Sequence, residues 1–463
     1  MAKAWEIAQN LFWNAQPVIR SAEEQTWTEN ENTSDYYDVL LSLDWGSNVP
    51  GSGAPERIMV AAVQALENRG YKVSERGYEL LHKGLAAFEE KDFVELHKIS
   101  AELHKELLNA QKDLTSEYWN YHYYTSFEEY AAKVSFPEAV AVDVYAPKFR
   151  EKLKASWLSQ MIGGAMGTMV EGYTSRNLYA AFGDVRDYLR EPNTYNDDIT
   201  YELAFLDTFK EKGYAMTSED LALSWAGIIP CGWSAEELAI RNIKAGIMPP
   251  QSGTWNNPFN EWIGAQMKGG ICGMAAPGDP YQAARLAWMD GEVAHANNGI
   301  LGEVFNAVMT SLAFVEDDVK KIIRMAVDMI PADSEYYSVV CFALNQCEKY
   351  DSWQDALAQC EEKYKKYNWI HAYPNACCEI IALWYGEGDY EETLHIVTMC
   401  GIDADCNAGM IMPILAIQKG MCIIPERLIH PAFSVLTTYL RKYKRITLEE
   451  LVDDTLNSIK NAK

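Results

Sequence analysis

The sequence lacks long apolar runs and an excess of basic residues. No stretch approaches the roughly 18 consecutive apolar residues of a membrane-spanning helix, so no span is predicted. Lys and Arg together number 40 against 66 Asp and Glu, which gives a formal net charge of -26. This charge repels phosphate backbones and anionic lipids, so nucleic acid and membranes are not expected as partners. A substrate with phosphates would have to be held by backbone amides, a metal or a few polar groups.

Paired cysteine motifs and a secretion signal are also missing. The ten Cys have no C-x-x-C spacing and lie mostly in apolar runs such as Ala376–Cys378, which favours reduced core thiols. The first residues do not form a basic segment followed by an apolar segment and a cleavage site. We therefore expect a cytoplasmic protein, and the sequence leaves its oligomeric state open.

Helical periodicity dominates the chain, whereas alternating apolar and polar residues, internal repeats and low-complexity segments are absent. Apolar residues recur at helical spacing over 56–68, 77–114, 299–314, 320–330 and 336–345. The chain before residue 56 is predicted to be rich in loops, including Trp27–Asn32 and the turn-like segment Asn48–Pro55. The aromatic residues of Tyr118–Tyr130 are expected to pack against a neighbour rather than line a sugar site.

A chain of 463 residues exceeds the length of one typical domain, so an added region or a second domain is expected. We predict an all-α protein with an N-terminal, mainly helical accessory region over 1–150. The catalytic domain is predicted to cover 151–463, and the accessory region is expected to form part of the pocket wall.

Two acidic motifs precede apolar helical segments. Asn196-Asp197-Asp198-Ile199 comes before the amphipathic segment 201–209, and Asp403-Ala404-Asp405-Cys406-Asn407 comes before the apolar segment 410–417. Carboxylates at a helix start can cap free amides, and an Asx turn also suits the D-x-D spacing. Carboxylates among small residues can equally converge on a hard cation. From the residues alone, capping and metal binding both stay open.

Two further segments combine polar residues with apolar or glycine-rich surroundings. Gly163, Gly164 and Gly167 permit close helix packing or close approach of a ligand, and Glu171 follows them. A charge after such an apolar run needs a partner if it is buried. The polar segment Asp290–Glu303 contains His295, which taken alone is more often structural than catalytic.

Taken in order, these four segments resemble the ADP-ribosylglycohydrolase family over roughly residues 155–440. Gly163–Glu171 follows the end of the family motif G-x-x-x-G-D-A-L-G-x-x-x-E, with Gly164 where Asp is usual. Asn196–Ile199 corresponds to T-D-D-T, Ala294-His295 to the helical histidine motif, and Asp403–Asn407 to D-x-D-[ST]-N. The segment Ile263–Asp279 resembles the substrate loop of a bacterial branch with an N-terminal extension.

The resemblance implies an ADP-ribosylglycohydrolase-like helical core that holds two divalent cations, Mg²⁺ or Mn²⁺. The soft sulfur of Cys406 would suit Mn²⁺ or Zn²⁺ better than Mg²⁺. Asp198 or Asp403 is expected to be the catalytic base, with Glu171 as the alternative. The implied metal ligands are Asn196, Asp197, Asp198, Asp403, Asp405 and Cys406. The implied substrate-binding residues are His295, Asn298, Gly269 and Gly270.

The resemblance further implies a metal-dependent hydrolase that cleaves an N- or O-glycosidic bond of an ADP-ribose-like substrate, free or attached to a modified protein. A glycosidase or nucleosidase acting on a small-metabolite glycoside is the first alternative, since the same metal site would serve any glycoside with a cis-diol. A non-catalytic binding protein is the second, because the resemblance extends to lens crystallins. The presence of all four Asp ligands disfavours that second alternative.

Overall fold

A computed structural model describes residues 2–21, 27–195 and 197–462 of the chain. Helices dominate the described residues, and the strands there form three short antiparallel pairs, which confirms the predicted all-α class. None of the described helices has the length and apolar character needed to cross a membrane. All ten cysteines are free thiols, and six of them are buried in the part of the chain after residue 340.

The described part of the accessory region is built from six helices and two strand pairs. The strand pair β1 (Ser47–Asn48) and β2 (Pro55–Glu56) forms a hairpin, and β3 (Tyr71–Lys72) pairs with β4 (Gln111–Lys112). A 3₁₀ turn lies at Glu117–Asn120. The helices are α1 (Ala4–Asn14), α2 (Trp27–Trp45), α3 (Ile58–Asn68), α4 (Glu75–Glu90), α5 (Phe93–Leu108) and α6 (Phe127–Ala131).

Helix follows helix in the rest of the chain, with one strand pair, β5 (Val435–Thr437) and β6 (Arg445–Thr447), near its end. Short 3₁₀ turns lie at Gly213–Ala215, Gln266–Lys268, Met421–Ile423, Glu426–Leu428 and Pro431–Ser434. The helices are α7 (Pro147–Gly167), α8 (Ser175–Phe182), α9 (Asp197–Lys212), α10 (Ser218–Ile228), α11 (Ser234–Lys244), α12 (Gln251–Thr254), α13 (Gly269–Ala275), α14 (Pro280–Gly291), α15 (Asn298–Leu312), α16 (Val319–Asp328), α17 (Glu335–Lys349), α18 (Trp353–Tyr364), α19 (Ala372–Gly386), α20 (Tyr390–Cys400), α21 (Ala404–Lys419) and α22 (Leu448–Asn461).

The accessory region differs from the sequence-based prediction at its first described long helix. Trp27–Trp45, predicted within a loop-rich part, is the helix α2. Its last residue, Trp45, is fully buried and its indole N–H donates to Ser100 Oγ on α5 at 2.8 Å, so packing outweighs the weak local helix propensity. The stretch 77–114, predicted from its helical spacing, contains two helices, which are separated because Lys91 adopts a left-handed backbone (φ 57°) and Asp92 caps α5.

Aromatic residues of the segment 118–130 attach the accessory region to the rest of the chain, as expected for packing residues. Tyr118 donates to Glu261 Oε1 at 2.8 Å, and Tyr130 donates to the carbonyl of Met329 at 2.9 Å. One continuous hydrophobic cluster includes buried residues from both regions. The accessory region therefore shares its core with the rest of the molecule.

Helices α7 and α21 pack with their backbones unusually close. A Cβ atom at Gly163 would lie 2.6 Å from the carbonyl group of Ala408, and one at Gly167 would lie 2.2 Å from the amide nitrogen of Asp405. Only glycine fits at such distances, so the two glycines, one helical turn apart, let α7 reach the start of α21. This packing fixes the D-x-D motif next to the end of α7, where Glu171 follows.

Candidate active site

The structure brings the two acidic motifs together at the starts of two buried helices. Asp197 and Asp198 form the first turn of α9, while Asp403 immediately precedes α21 and Asp405 lies in its first turn. Asp197, Asp198 and Cys406 offer potential ligand atoms within 4.8 Å of one another, and so do Asp403, Asp405 and Cys406. Cys406 therefore joins two acidic groups that are about 200 residues apart in the chain.

The carboxylates of this cluster have oxygen atoms without a hydrogen-bond partner in the described part of the chain. Asp403 occupies the N-cap position of α21, yet its side chain makes no capping hydrogen bond. Both carboxylate oxygens of Asp198 and one oxygen each of Asp403 and Asp405 are buried without a hydrogen-bond partner among the described residues. Unsatisfied buried carboxylates are costly, and capping does not account for these unpaired oxygens.

The electrostatics of the cluster favour a bound cation. Burial, followed by repulsion from the neighbouring carboxylates, raises the pKa of Asp198 and of Asp403 well above the ordinary value. Burial and the neighbouring Asp197 raise the pKa of Asp405 to about 7. A divalent cation would remove this repulsion and occupy the unsatisfied oxygens, so these four residues fit hard cations.

Glu171 is held beside this cluster by the loops that follow α7 and α20. The amide of Gly172 donates to the carbonyl of Ile402 at 2.7 Å, and the amide of Ile402 donates to the carbonyl of Tyr173 at 2.8 Å. Burial, then repulsion from Asp405 and the other acidic residues, raises the pKa of Glu171 well above the ordinary value. We call Asp197, Asp198, Asp403, Asp405 and Cys406 the metal-type cluster. The pKa of Glu171 therefore depends on the charge of this cluster.

A cavity of about 410 Å³ adjoins the acidic cluster, a volume within the usual range for small-molecule sites. The accessory region lines it with Leu43, the hairpin residues Ser47–Gly51 and Glu56. Its acidic lining residues are Glu56, Glu171, Asp197, Glu236, Asp403 and Asp405, and its aromatic lining residues are Tyr195, Tyr201, Trp233, Trp369 and Tyr439. The cavity thus combines carboxylates with aromatic rings, and it includes a wall from the first 56 residues.

The residues that the resemblance assigned to metal binding and catalysis form three groups according to their place relative to the cavity. Glu171, Asp197, Asp403, Asp405 and Cys406 line the cavity. Asp198 is fully buried, belongs to the same cluster and does not line the cavity. Asn196 lies outside the described residues.

The structure places the four residues assigned to substrate binding away from the cavity lining. His295 is buried, and Asn298 donates to Glu261 Oε1 at 3.1 Å within the contact that holds the accessory region. Gly269 packs against α15, since a Cβ there would lie 2.7 Å from the carbonyl oxygen of Glu303. Gly270 faces Glu202 and Met410 in the interior. From the same stretch of sequence, Ile263, Gly264 and Met267 line the cavity instead.

Sequence reasoning missed the part of the cavity that lies beyond the acidic cluster. Glu56, Trp233, Glu236 and Trp369 belong to no motif, and single acidic or aromatic residues are common throughout this chain. Only the expectation that the accessory region forms part of the pocket wall pointed to this surface. Its residues come together through long-range packing, which leaves no local signal in the sequence.

A second buried acidic group, Cys272, Asp290 and Glu303, already contains a cation from the protein itself. Lys268 Nζ lies 3.0 Å from Asp290 Oδ2 and 3.6 Å from Glu303 Oε2, and all three side chains are fully buried. Burial alone would lower the pKa of Lys268, but Asp290 and Glu303 together raise it. This group is therefore a buried ion-pair network rather than a free metal site.

Comparison with known proteins points to one family. The family model described as ADP-ribosylglycohydrolase matches residues 146–462. A comparison with curated protein sequences finds no match. Among solved structures, one described as an "ADP-ribosylglycohydrolase-related protein complex" is similar to this chain, with 14% sequence identity and a TM-score of 0.48. The similarity covers 69% of this chain and 100% of that chain.

Proposed function

This chain belongs to the ADP-ribosylglycohydrolase family and is a hydrolase, and on that premise we propose that it cleaves an N- or O-glycosidic bond with the help of divalent cations. The observation that carries the proposal is the meeting of four Asp side chains, three of which have buried oxygens that lack partners among the described residues. Such carboxylates are costly to keep together in the folded chain, so their meeting supports cation binding.

The residues that would hold the cations are Asp197, Asp198, Asp403 and Asp405. Their oxygens are the ligand type that Mg²⁺ and Mn²⁺ prefer. The sulfur of Cys406 lies within 4.8 Å of carboxylate oxygens from both Asp pairs, 197/198 and 403/405. As a ligand, this sulfur would favour Mn²⁺ over Mg²⁺. Asn196 remains a predicted ligand.

The chemistry of the site would be divided between the cations and the carboxylates of the chain. When bound, divalent cations supply positions for the vicinal hydroxyls of a ribose-like sugar and stabilise negative charge. A carboxylate in the cavity wall accepts the proton of the attacking water, and the acidic surroundings stabilise the positive charge of an oxocarbenium-like transition state. The aromatic lining residues shield the reacting bond from bulk water.

Exposure to the cavity distinguishes the candidates for the base. Asp403 and Glu171 line the cavity and can meet the substrate or its attacking water. Asp198 is fully buried behind this surface, so we assign it to cation binding alone. Of the two remaining candidates, Glu171 belongs to neither group of potential metal ligands, so its carboxyl group stays available to exchange a proton.

A specific feature of the cavity favours the second candidate substrate, a small-metabolite glycoside without phosphates. Among the described residues that line the cavity, none is Lys, Arg or His, whereas six are acidic. Phosphate groups are most often held by basic side chains or by helix N-termini free of nearby anions. Among the described lining residues, a diphosphate would therefore find no cationic side chain, and only the cations would attract it.

The function can be tested on the full chain with and without Mg²⁺ or Mn²⁺. We expect metal to raise the melting temperature and to permit hydrolysis of a ribose-containing glycoside. Asp403→Asn should abolish both effects, whereas Asp351→Asn, at an exposed position outside the site, should leave both unchanged. A melting temperature that no divalent cation changes would refute the metal site.

The same assay separates the two substrate candidates. ADP-ribosylated arginine and simple nucleosides or aryl ribosides are offered to the metal-loaded protein, and sugar release is measured. Release from the ribosides alone would support the small-metabolite candidate, and release from ADP-ribosylated arginine alone would support the ADP-ribosyl candidate.

A further inference from the structure

Two acidic side chains in the cavity wall belong neither to the metal-type cluster nor to the proposed catalytic set. Glu56 ends the hairpin of the accessory region, and Glu236 lies in the first turn of α11. Both line the cavity, and they are only 9% and 4% exposed. A carboxylate at this depth is costly unless something pairs with it.

Each of these carboxylates has one oxygen without a hydrogen-bond partner among the described residues. Trp233 donates from its indole nitrogen to Glu56 Oε2 at 3.0 Å, which leaves Glu56 Oε1 buried and unpaired. Glu236 Oε1 is also unpaired, and it lies 3.7 Å from His295 Nε2. Burial lowers the pKa of His295 well below its ordinary value, so this imidazole is neutral and does not balance the charge of Glu236.

The tip of Glu236 adjoins the cavity at a glycine. A Cβ atom at Gly264, itself a lining residue, would lie 1.6 Å from Glu236 Oε1. The absence of a side chain at this position thus leaves room for the carboxylate beside the cavity. Trp233 contacts Glu56 and precedes Glu236 by three residues, so it connects the hairpin to the start of α11, and all three residues line the cavity.

The charge of this wall is not balanced by a basic residue of the cavity lining. Lys268 acts on Glu236 electrostatically, but it is fully buried and pairs with Asp290 and Glu303. Burial raises the pKa of Glu56 and of Glu236 to about 7 each, as expected for buried carboxyl groups without a cationic partner in the cavity wall. The indole of Trp233 adds an aromatic ring, which also attracts cations.

We propose that Glu56, Glu236 and Trp233 form an amino-group subsite, which binds a positively charged amino group on a glycoside without phosphates. This inference rests on the proposed function, since the cations would hold the sugar and the subsite would select its substituent. The accessory region, through Glu56, then determines which glycosides enter the active site.

The test compares matched ligands that differ only in charge. D-ribose, 5-amino-5-deoxy-D-ribose and ribose 5-phosphate form one series. A second series is made of phenyl ribosides with a para aminomethyl, hydroxymethyl or carboxyl group. Their affinities for the full chain are measured by calorimetry with Mn²⁺, for the unaltered protein and for Glu56→Gln, Glu236→Gln and Glu90→Gln, the last at an exposed position of the accessory region.

We expect the amino ligand of at least one series to bind ten or more times more tightly than its neutral counterpart, and the anionic ligand to bind most weakly. Glu56→Gln and Glu236→Gln should each reduce the amino preference at least fivefold, while Glu90→Gln should preserve it. Tightest binding of the anionic ligand, or an amino preference that survives both substitutions, would overturn the subsite.

Failure of the subsite is distinguishable from failure of the proposed function. Metal-dependent binding of the neutral ligands without an amino preference overturns the subsite alone. Binding of no ligand in either series, in a protein that melts normally, overturns both.

A second variant tests the geometry without removing a charge. Gly264→Ala places a methyl group where Glu236 Oε1 lies, and the flexible end of that side chain must move. We expect the preference for the amino ligand over the neutral ligand to fall in this variant. The metal-induced rise in melting temperature should persist, since Gly264 is not one of the proposed metal ligands. An unchanged amino preference in this variant would contradict the assignment of Glu236.

Discussion

Several buried carboxyl groups in this cavity destabilise the folded protein when no cation is bound. Asp405 illustrates this, because burial and Asp197 raise its pKa to about 7 and one of its oxygens has no partner in the described structure. Its cost is the usual sign of a residue kept for binding rather than for folding. The same argument applies to Glu56 in the other part of the wall.

Replacing Asp405 by Asn should separate stability from metal binding. The neutral amide removes the repulsion with neighbouring carboxylates, so the metal-free variant should be more stable than the unaltered protein, by roughly 1–3 kcal/mol. It should also lose most of the stabilisation that Mn²⁺ gives. Thermal unfolding with and without metal measures both effects, and Asp351→Asn serves as the control. A variant that is less stable without metal yet equally stabilised by it would contradict this account.

The pKa of Glu56 predicts a pH dependence for the amino-group subsite. Its value of about 7 means that the carboxyl group is charged above pH 7 and takes up a proton below it. An amino ligand needs the charged form, so its affinity relative to the neutral ligand should fall as the pH decreases from 8 to 6. The expected decrease is severalfold, in line with the linkage of proton and ligand binding.

The ratio of the two affinities is the appropriate measurement, because protonation of the metal-binding carboxylates affects both ligands alike. Calorimetry at several pH values gives this ratio directly. In Glu56→Gln the ratio should vary less with pH, and an identical profile in both proteins would contradict the role of Glu56.

At the scale of helices, the site depends on the close approach of α7 and α21. The glycine-rich segment at 163–167 was open to two interpretations from the sequence, close helix packing or contact with a ligand. The distances to Ala408 and Asp405 support packing. The glycine-rich segment thus contributes to the site indirectly, because its close packing sets the position of the start of α21.

Gly167→Ala should disturb both the fold and the site. The added methyl group would meet backbone atoms of α21, which cannot rotate away as a side chain does, so a loss of roughly 1–3 kcal/mol or more is expected. Metal affinity should fall too, because the same backbone carries Asp405. Gly227→Ala is the matched control, since a Cβ at that helical position meets nothing within 4 Å. Equal stability of the two variants would refute the packing argument.

Elements with strong local signals could be predicted from the sequence, and those formed by packing could not. The apolar stripes of α15 and α16 have the helical period, and the acidic motifs lie at helix starts where local chemistry favours them. In α2, by contrast, Asn, Ser and Asp favour loops, and burial of Trp45 decides the outcome. The roles of His295 and Gly269 came from the family resemblance, and the structure places both in the interior.

At the scale of the whole molecule, the cavity is assembled from distant parts of the chain. Glu56 and Trp233 are 177 residues apart, yet they share a hydrogen bond in its wall. A pairing of this kind follows from the packing of the accessory region on the core, and no periodicity or spacing records it. The metal-type cluster could be predicted because its two motifs are each compact.

The net charge of -26 predicts how charged ligands approach the protein. A negative field should accelerate the association of amino ligands, and salt should screen that field. Raising the ionic strength from about 0.02 M to about 0.3 M should slow association of 5-amino-5-deoxy-D-ribose severalfold, and should leave D-ribose unaffected. Stopped-flow tryptophan fluorescence can follow binding, since Trp233 and Trp369 line the cavity. Equal salt dependence for both ligands would contradict this steering.

The hairpin at 47–56 has a consequence for how this enzyme could diversify. It reaches the cavity from a part of the chain that precedes the family-matched region, and hydrogen bonds to the core, such as that from Arg190 to the carbonyl of Gly51, hold it there. Selection acting on these ten residues could exchange one substrate for another while the hydrolytic apparatus stays untouched. The hairpin is therefore a natural position for grafting a different loop when a new specificity is to be engineered.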